Sequence, residues 1–289
     1  MWRLVTPSID AAKYDAHVTV VHCRELDTND EAKLKALYQA YHDKQGKVSD
    51  EDLASLDAKK EILKAQYSKT SGKEKPRVGQ MIGKDKPLVY MRKALMKGIR
   101  RCPMCSILPV TDLDHVWPES DYGQLAVCRL NLVPLCGKCN NEKRKRNPTK
   151  FIHTYYQQFP EGVAFFVAKC KVVAGKIIAR FCVDQGALRN TDLSHTLHLQ
   201  MANIKLRLRL QGASQEFFMK LFRNASVKTN EELHSFLNNR LRWYEKPENY
   251  GRNDWRTALI RGMIECHDID VAVVRGYQTA RPIRREMNI

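Results

Sequence analysis

Two cysteine pairs, Cys102-Pro-Met-Cys105 and Cys136-Gly-Lys-Cys139, constrain this chain more than any other feature. In a C-x2-C pair both thiolates can reach one ion, and two such pairs complete a tetrahedral four-sulfur zinc site. A four-thiolate site is closed, so its zinc is structural and fastens a small motif whose apolar core would not suffice alone. Disulfides are the weaker alternative in an intracellular protein. The stretch between the pairs is longer than in a minimal zinc ribbon, with room for a strand, a loop and a second strand.

That stretch carries groups a bare zinc ribbon does not require. Val110-Thr-Asp-Leu-Asp-His-Val-Trp117 places Asp114 and His115 at the end of an expected strand, and Asn131-Leu-Val-Pro-Leu-Cys136 leads into the second pair. Cys139-Asn-Asn-Glu-Lys143 then opens a basic helix in which Asn140 and Lys143 share a face. Taken singly these are ordinary: an Asp-His surface pair, a strand, an N-cap asparagine. Taken in order, between and after two metal knuckles, they favour a catalytic reading.

The run CPMC, LDHVWPES and NLVPLCGKCNNEK resembles the His-Asn-His (HNH) endonucleases of the ββα-metal class, in their zinc-stapled subset. The resemblance covers residues 102–143. It implies that His115 is the general base, its neutral imidazole activating a water against the scissile phosphorus. It implies that Asp114 and Asn140 hold one divalent cation, Mg²⁺ or Mn²⁺, oxygen donors being what a hard ion prefers. That ion stabilises the charge of the transition state and of the leaving 3′-oxygen. It implies further that Asn131 braces the loop between the strands and orients His115, and that Lys143 contacts a phosphate, with Arg144, Lys145 and Arg146 extending the positive track. Where the family often has a second histidine this chain has Asn140, which disfavours a softer ion at the catalytic position.

Charge agrees with such a substrate. Among 289 residues, 49 Lys+Arg face 32 Asp+Glu, a formal net charge of +17. A surface this positive attracts polyanions, above all nucleic acid. No apolar run is long enough to span a membrane, and MWRLVTPSIDAAKYD lacks the layout of a secretory signal. A cytoplasmic protein without a membrane partner is expected, and the second resemblance, given next, implies a bacterial one. The layout from LDHVWPES through FIHTYYQQF to the VAFFVAKC…KIIARFCVD segment also resembles nuclease subunits of Septu-type and retron-linked anti-phage defence systems. This implies an ATPase partner protein alongside DNA. The alternative is a non-catalytic zinc-dependent module that binds nucleic acid or scaffolds a partner.

The expected fold class is α+β: a zinc-stapled ββα-metal nuclease core at 88–150, a helical N-terminal region with a basic linker at 1–87, and a β-hairpin plus helical region at 151–289. Thr28-Asn29-Asp30-Glu31 and Ser49-Asp50-Glu51-Asp52 read as helix starts with Gly46 as a break between them, and 69–87 as a linker or nucleic-acid-facing loop. A basic helix is expected over 88–101, a hairpin over 163–184 turning at Ala174-Gly175, and helix across 204–210. Asn230 and Asn253 read as helix caps. Cys23, Cys128, Cys170, Cys182 and Cys266 read as small buried hydrophobes. His195 and His198 could share a helical face but lack an obvious third metal ligand.

Overall fold

The computed structural model describes residues 3–68, 89–144 and 148–279. It combines helices with two small antiparallel sheets, an α+β fold, in two compact units comprising residues 2–159 and 160–289. Among the described residues no helix is long and apolar enough to cross a membrane.

In the first unit α1 (Ile9–Val21) packs on α2 (Thr28–Asp43). The cap of α2 is Asp27 rather than Thr28. Its carboxylate accepts from the Asp30 amide at 2.9 Å, while the Asp30 carboxylate accepts from the Asp27 amide at 3.1 Å. Reciprocal capping needs an acceptor at both ends of a three-residue step, and the Asp27/Asp30 pair meets this one residue earlier than expected. The buried face of α2 is Leu34, Leu37, Tyr38 and Tyr41. Gly46, at φ +83°, turns the chain after α2 in the left-handed region that glycine tolerates. Ser49 then caps α3 (Asp50–Ala54) in a box with Asp52, as the sequence indicates.

α4 (Lys60–Ser68) and α5 (Val89–Met96) follow. The expected linker at 69–87 lies outside the described residues. α5 stops short of the expected Arg101 because Gly98, at φ +77°, leaves the helix. Next, β1 (Asp112–His115) pairs antiparallel with β2 (Leu132–Leu135), Asp114 opposite Val133 and His115 opposite Leu132. α6 (Gly137–Lys143) follows directly, two residues ahead of its expected start at Cys139.

The expected boundary at residue 87 is not a boundary between units. Asp15 of α1, with no exposure, accepts from Arg129 Nη2 at 2.8 Å and from the Tyr90 hydroxyl at 2.6 Å. Gln124 Nε2 donates to Asp57 at 2.7 Å, and the Tyr155 hydroxyl donates to the Leu132 carbonyl at 2.7 Å. The helical N-terminus and the stretch up to Phe159 therefore share one interior with the knuckle region.

In the second unit β3 (Phe166–Val173) and β4 (Lys176–Val183) form the expected hairpin. Ala174 at φ +49° and Gly175 at φ +71° make the left-handed two-residue turn that matches strand twist. The helices are α7 (Gln185–Leu188), α8 (Thr191–Asn203), α9 (Leu206–Phe222), α10 (Asn230–Glu245), α11 (Trp255–Ile264) and α12 (Val271–Thr279). The 204–210 segment is helical from Leu206, with Lys205 at φ +51° separating α8 from α9. Both expected asparagine caps shift by one residue. Thr229 caps α10, and Asn230 instead accepts from the Val271 amide at 3.0 Å. Asp254 caps α11, while Asn253 accepts from the Phe165 and Phe166 amides at 2.9 and 3.0 Å. Cys23 and Cys128 are buried as expected, but Cys170, Cys182 and Cys266 are only half-buried.

The Asp15–Arg129 pair sets a stability test. Breaking a buried pair strands one charge, so Asp15→Ala should cost about 3–5 kcal/mol in urea unfolding. The double variant Asp15→Leu/Arg129→Met should recover most of that loss, because it removes both charges.

Candidate functional site

The sulfurs of Cys102, Cys105, Cys136 and Cys139 lie within 4.8 Å of one another, and all four residues are buried. Cys105 and Cys136 Sγ are 3.8 Å apart, and none of the cysteines forms a disulfide. Zinc–sulfur bonds of about 2.3 Å in a tetrahedron separate sulfurs by about 3.8 Å. Backbone turns prepare the knuckles: the Ile107 amide donates to Cys105 Sγ at 3.5 Å and the Cys139 amide to Cys136 Sγ at 3.4 Å. The thiols also press on one another's ionisation. Cys102, with Cys136 and Cys139, holds Cys105 far below the usual thiol range, whereas burial pushes Cys102 well above it. A divalent cation is what lets four thiolates share one buried volume. The donor set fits a metal ion and is compatible with a zinc staple.

The cluster anchors the start of α6, and the hydrogen-bonded strands carry Asp114 and His115 alongside that helix. His115 is 7% exposed, with Nε2 2.8 Å from the Ala126 carbonyl. A carbonyl only accepts, so Nε2 carries the proton and Nδ1 keeps a lone pair. Nδ1 lies 3.8 Å from Glu119 Oε2, and the Tyr67 ring of α4 stands edge-on to the imidazole at 4.5 Å between centroids. Burial, reinforced by the Lys143 charge, holds His115 at about 4 against the pull of the Ala126 carbonyl. The imidazole is therefore neutral near pH 7, the protonation state of a base.

Asn131 has no exposure, and its side chain is fully used. Oδ1 accepts from the Trp117 amide at 2.8 Å and from the Tyr41 hydroxyl at 3.2 Å. Nδ2 donates to the Trp117 carbonyl at 3.1 Å and the Leu125 carbonyl at 3.3 Å. One amide thus ties the chain just after His115 to the chain just before Ala126, the two segments that fix the imidazole.

Lys143 departs from its expected place. It is 2% exposed, its ammonium donating to the His115 carbonyl at 2.6 Å and lying 2.8 Å from Asp114 Oδ2. A lysine on the inner face of a short helix can satisfy its charge only on the strand beneath, so it ties α6 to β1 instead of standing in solvent for a phosphate. Burial pushes Asp114 above the usual carboxylate range even with Lys143 beside it. Asn140, half-buried on α6, makes no side-chain hydrogen bond among the described residues, which leaves its amide oxygen available. Arg144 is exposed and ends α6 at φ +48°; Lys145 and Arg146 lie outside the described residues.

Several neighbours went unassigned in the sequence. The Ala126 carbonyl is backbone and leaves no residue-type signal. Tyr67 reads only as an apolar helical position, and Glu119 sits inside the LDHVWPES run without a role of its own. Trp117 packs against Tyr122 and donates from Nε1 to the Gly46 carbonyl at 2.8 Å. His198 donates to or accepts from nothing metal-like: its Nδ1 is 2.8 Å from the Ser194 carbonyl, and His195 is exposed. The four cysteines are the metal-competent cluster found among the described residues.

No family model matches this chain, and no solved structure matches it. Among curated proteins it is similar to Protein ea31 of Escherichia phage lambda, 27% identical over 154 residues. The match covers 50% of this chain and 52% of the relative, so the chain spans about half the length of the curated relative it matches.

Two outcomes follow from this geometry. The purified protein should hold one zinc per chain, released as thiols are titrated with a mercurial. Cys102→Ser or Cys139→Ser should lose that zinc together with cooperative unfolding of the first unit, as chelation denatures a metal-stapled domain. A metal-free Cys102→Ser protein with an unchanged unfolding curve would contradict the staple. For Lys143, replacement by Met should cost about 3 kcal/mol, the lower end for a broken buried pair because Asp114 keeps 15% side-chain exposure. Urea unfolding of the two variants checks this, and Arg144→Gln should leave stability unchanged.

Proposed function

We propose that this chain is a metal-dependent HNH-type endonuclease that hydrolyses DNA phosphodiester bonds. The observation that carries the reading is the His115 geometry. Nε2 is committed to the Ala126 carbonyl, Nδ1 is left as a neutral base, and Asp114 stands next to it in a strand–strand–helix framework flanked by the two halves of a four-cysteine cluster. The order of two paired strands followed by a helix supports this reading.

In this reading His115 Nδ1 takes a proton from a water as its oxygen attacks the phosphorus and the bond to the 3′-oxygen breaks. The leaving oxygen takes its proton from solvent. Asp114 and Asn140 are the residues that would hold the divalent cation, with a carboxylate and an amide oxygen as hard donors. When bound, Mg²⁺ or Mn²⁺ supplies charge stabilisation for the transition state and the leaving oxygen. Asn131 keeps the imidazole aimed by holding both segments around it. Lys143 supports the site from beneath by fixing the Asp114 carboxylate and the His115 backbone. Phosphate contacts fall to the exposed Arg144 and to the charge that follows it in sequence.

The hold of Lys143 on Asp114 also favours a second reading, a catalytically silent zinc module that binds nucleic acid or scaffolds a partner. It predicts salt-dependent binding without cleavage. The proposed ATPase partner and defence role rest on sequence layout, and co-purification from the native host with an ATPase is their test.

The discriminating experiment is plasmid cleavage in Mg²⁺ by wild type and His115→Ala, with thermal unfolding confirming equal folding. Wild type should nick or linearise the plasmid, and His115→Ala should be slower by about 10²–10⁴-fold. Equal cleavage by both proteins would remove His115 from the chemistry. Binding without cleavage, with the native partner present, would favour the silent module.

A further inference from the structure

The β3–β4 hairpin has a two-faced composition that the catalytic reading does not use. One face, Phe166, Ala168, Cys170 and Val172 on β3 with Ile177, Ala179, Phe181 and Val183 on β4, is wholly apolar, and α11 and α9 cover it. The other face carries Lys169, Lys171, Lys176 and Arg180, all exposed, together with the exposed Val173 and Ile178 and the half-buried Val167 and Cys182. The sequence 166–183 contains no Asp or Glu. None of the four cations has an ion pair or side-chain hydrogen bond among the described residues.

The register sharpens this. Lys169 is directly opposite Arg180, so two like charges occupy one cross-strand pair. Like charges directly opposite each other destabilise a sheet. An acidic residue on either strand, or an uncharged partner for Lys169, would relieve the repulsion, and the chain has neither. A ligand that places negative charge over the pair removes the cost when it binds.

We propose that the solvent face of the β3–β4 hairpin is a docking surface for the phosphate backbone of duplex DNA. Four unneutralised cations on one short ribbon call for a dense line of negative charge. Duplex DNA supplies one phosphate charge per about 1.7 Å of axis, roughly twice the density of a single strand. With its other face covered by helices, the ribbon lies along the backbone instead of inserting between bases. Its contacts are those that position a protein without reading sequence. This surface belongs to the unit that does not contain the four-cysteine cluster; the choice of DNA over a duplex RNA rests on the proposed function, while the charge of the surface does not depend on His115 being catalytic.

The test is fluorescence anisotropy of the full-length, zinc-loaded protein with a short fluorescein-labelled duplex, without added Mg²⁺ and across a salt series. Lys169→Gln/Arg180→Gln should weaken binding several-fold and flatten the log–log salt dependence by about two, one unit per lost contact. The same variant should melt slightly higher than wild type, because the like-charge pair is gone. A charge-matched control on α9, Arg207→Gln/Lys220→Gln, should lose markedly less affinity. Equal losses in the two variants would reduce the effect to net charge and overturn the proposal. Unchanged duplex binding by the hairpin variant would overturn it too, as would a loss seen only with polyglutamate, which reassigns the face to an acidic protein.

Discussion

Four cysteine sulfurs brought within 4.8 Å of one another set the terms for the first unit. Without a shared cation their charges oppose each other in a buried volume. With one, the loop at 102–105 and the start of α6 become a single fixed point. The paired strands β1 and β2 run between these two knuckles, so a metal held there would fix where the chain enters β1 and where β2 hands over to α6. Asp114, His115 and Asn140 lie on those two elements, and a small apolar core alone would hold them loosely.

Around that fixed point the polar interior divides its tasks. Lys143 spends a buried charge on closing α6 against β1, which makes it a support where a surface contact was expected. Asn131 uses both ends of its amide to hold the segments on either side of His115. The Asp15–Arg129 pair and the Tyr41–Asn131 bond connect this core to α1 and α2. The N-terminal helices are thus part of the site's foundation, and Tyr67 of α4 reaches the imidazole itself.

Legibility in the sequence followed the range of the interaction. Local signals read well: the Ser49 cap, the Gly46 turn and the Ala174-Gly175 hairpin depend on a few neighbouring residues, and each stands where it was expected. The caps at Asp27, Thr229 and Asp254 fell one residue from the expected position, because an adjacent side chain could serve as cap equally well, and Asn230 and Asn253 are engaged by distant amides instead. The cysteine spacing told which four residues share a site, since a C-x2-C pair has few other uses. What stayed hidden was non-local. No pattern in NNEK says that Lys143 turns inward, because that depends on which face of a seven-residue helix meets β1. The single interior of residues 2–159 rests on contacts such as Asp15 with Arg129, 114 residues apart. The phage lambda relative adds a likeness over half of each chain and no chemistry of its own.

The central claim is that the Asp-His pair and Asn140 on this staple cleave a phosphodiester at its 3′-oxygen. End-group analysis of an internally labelled duplex incubated with the zinc-loaded protein and Mg²⁺ tests it most directly. The account predicts fragments bearing 5′-phosphate and 3′-hydroxyl ends, absent without Mg²⁺ and absent with His115→Ala or Asn140→Ala. Products with 3′-phosphate ends, or cleavage that persists in both variants, would contradict it.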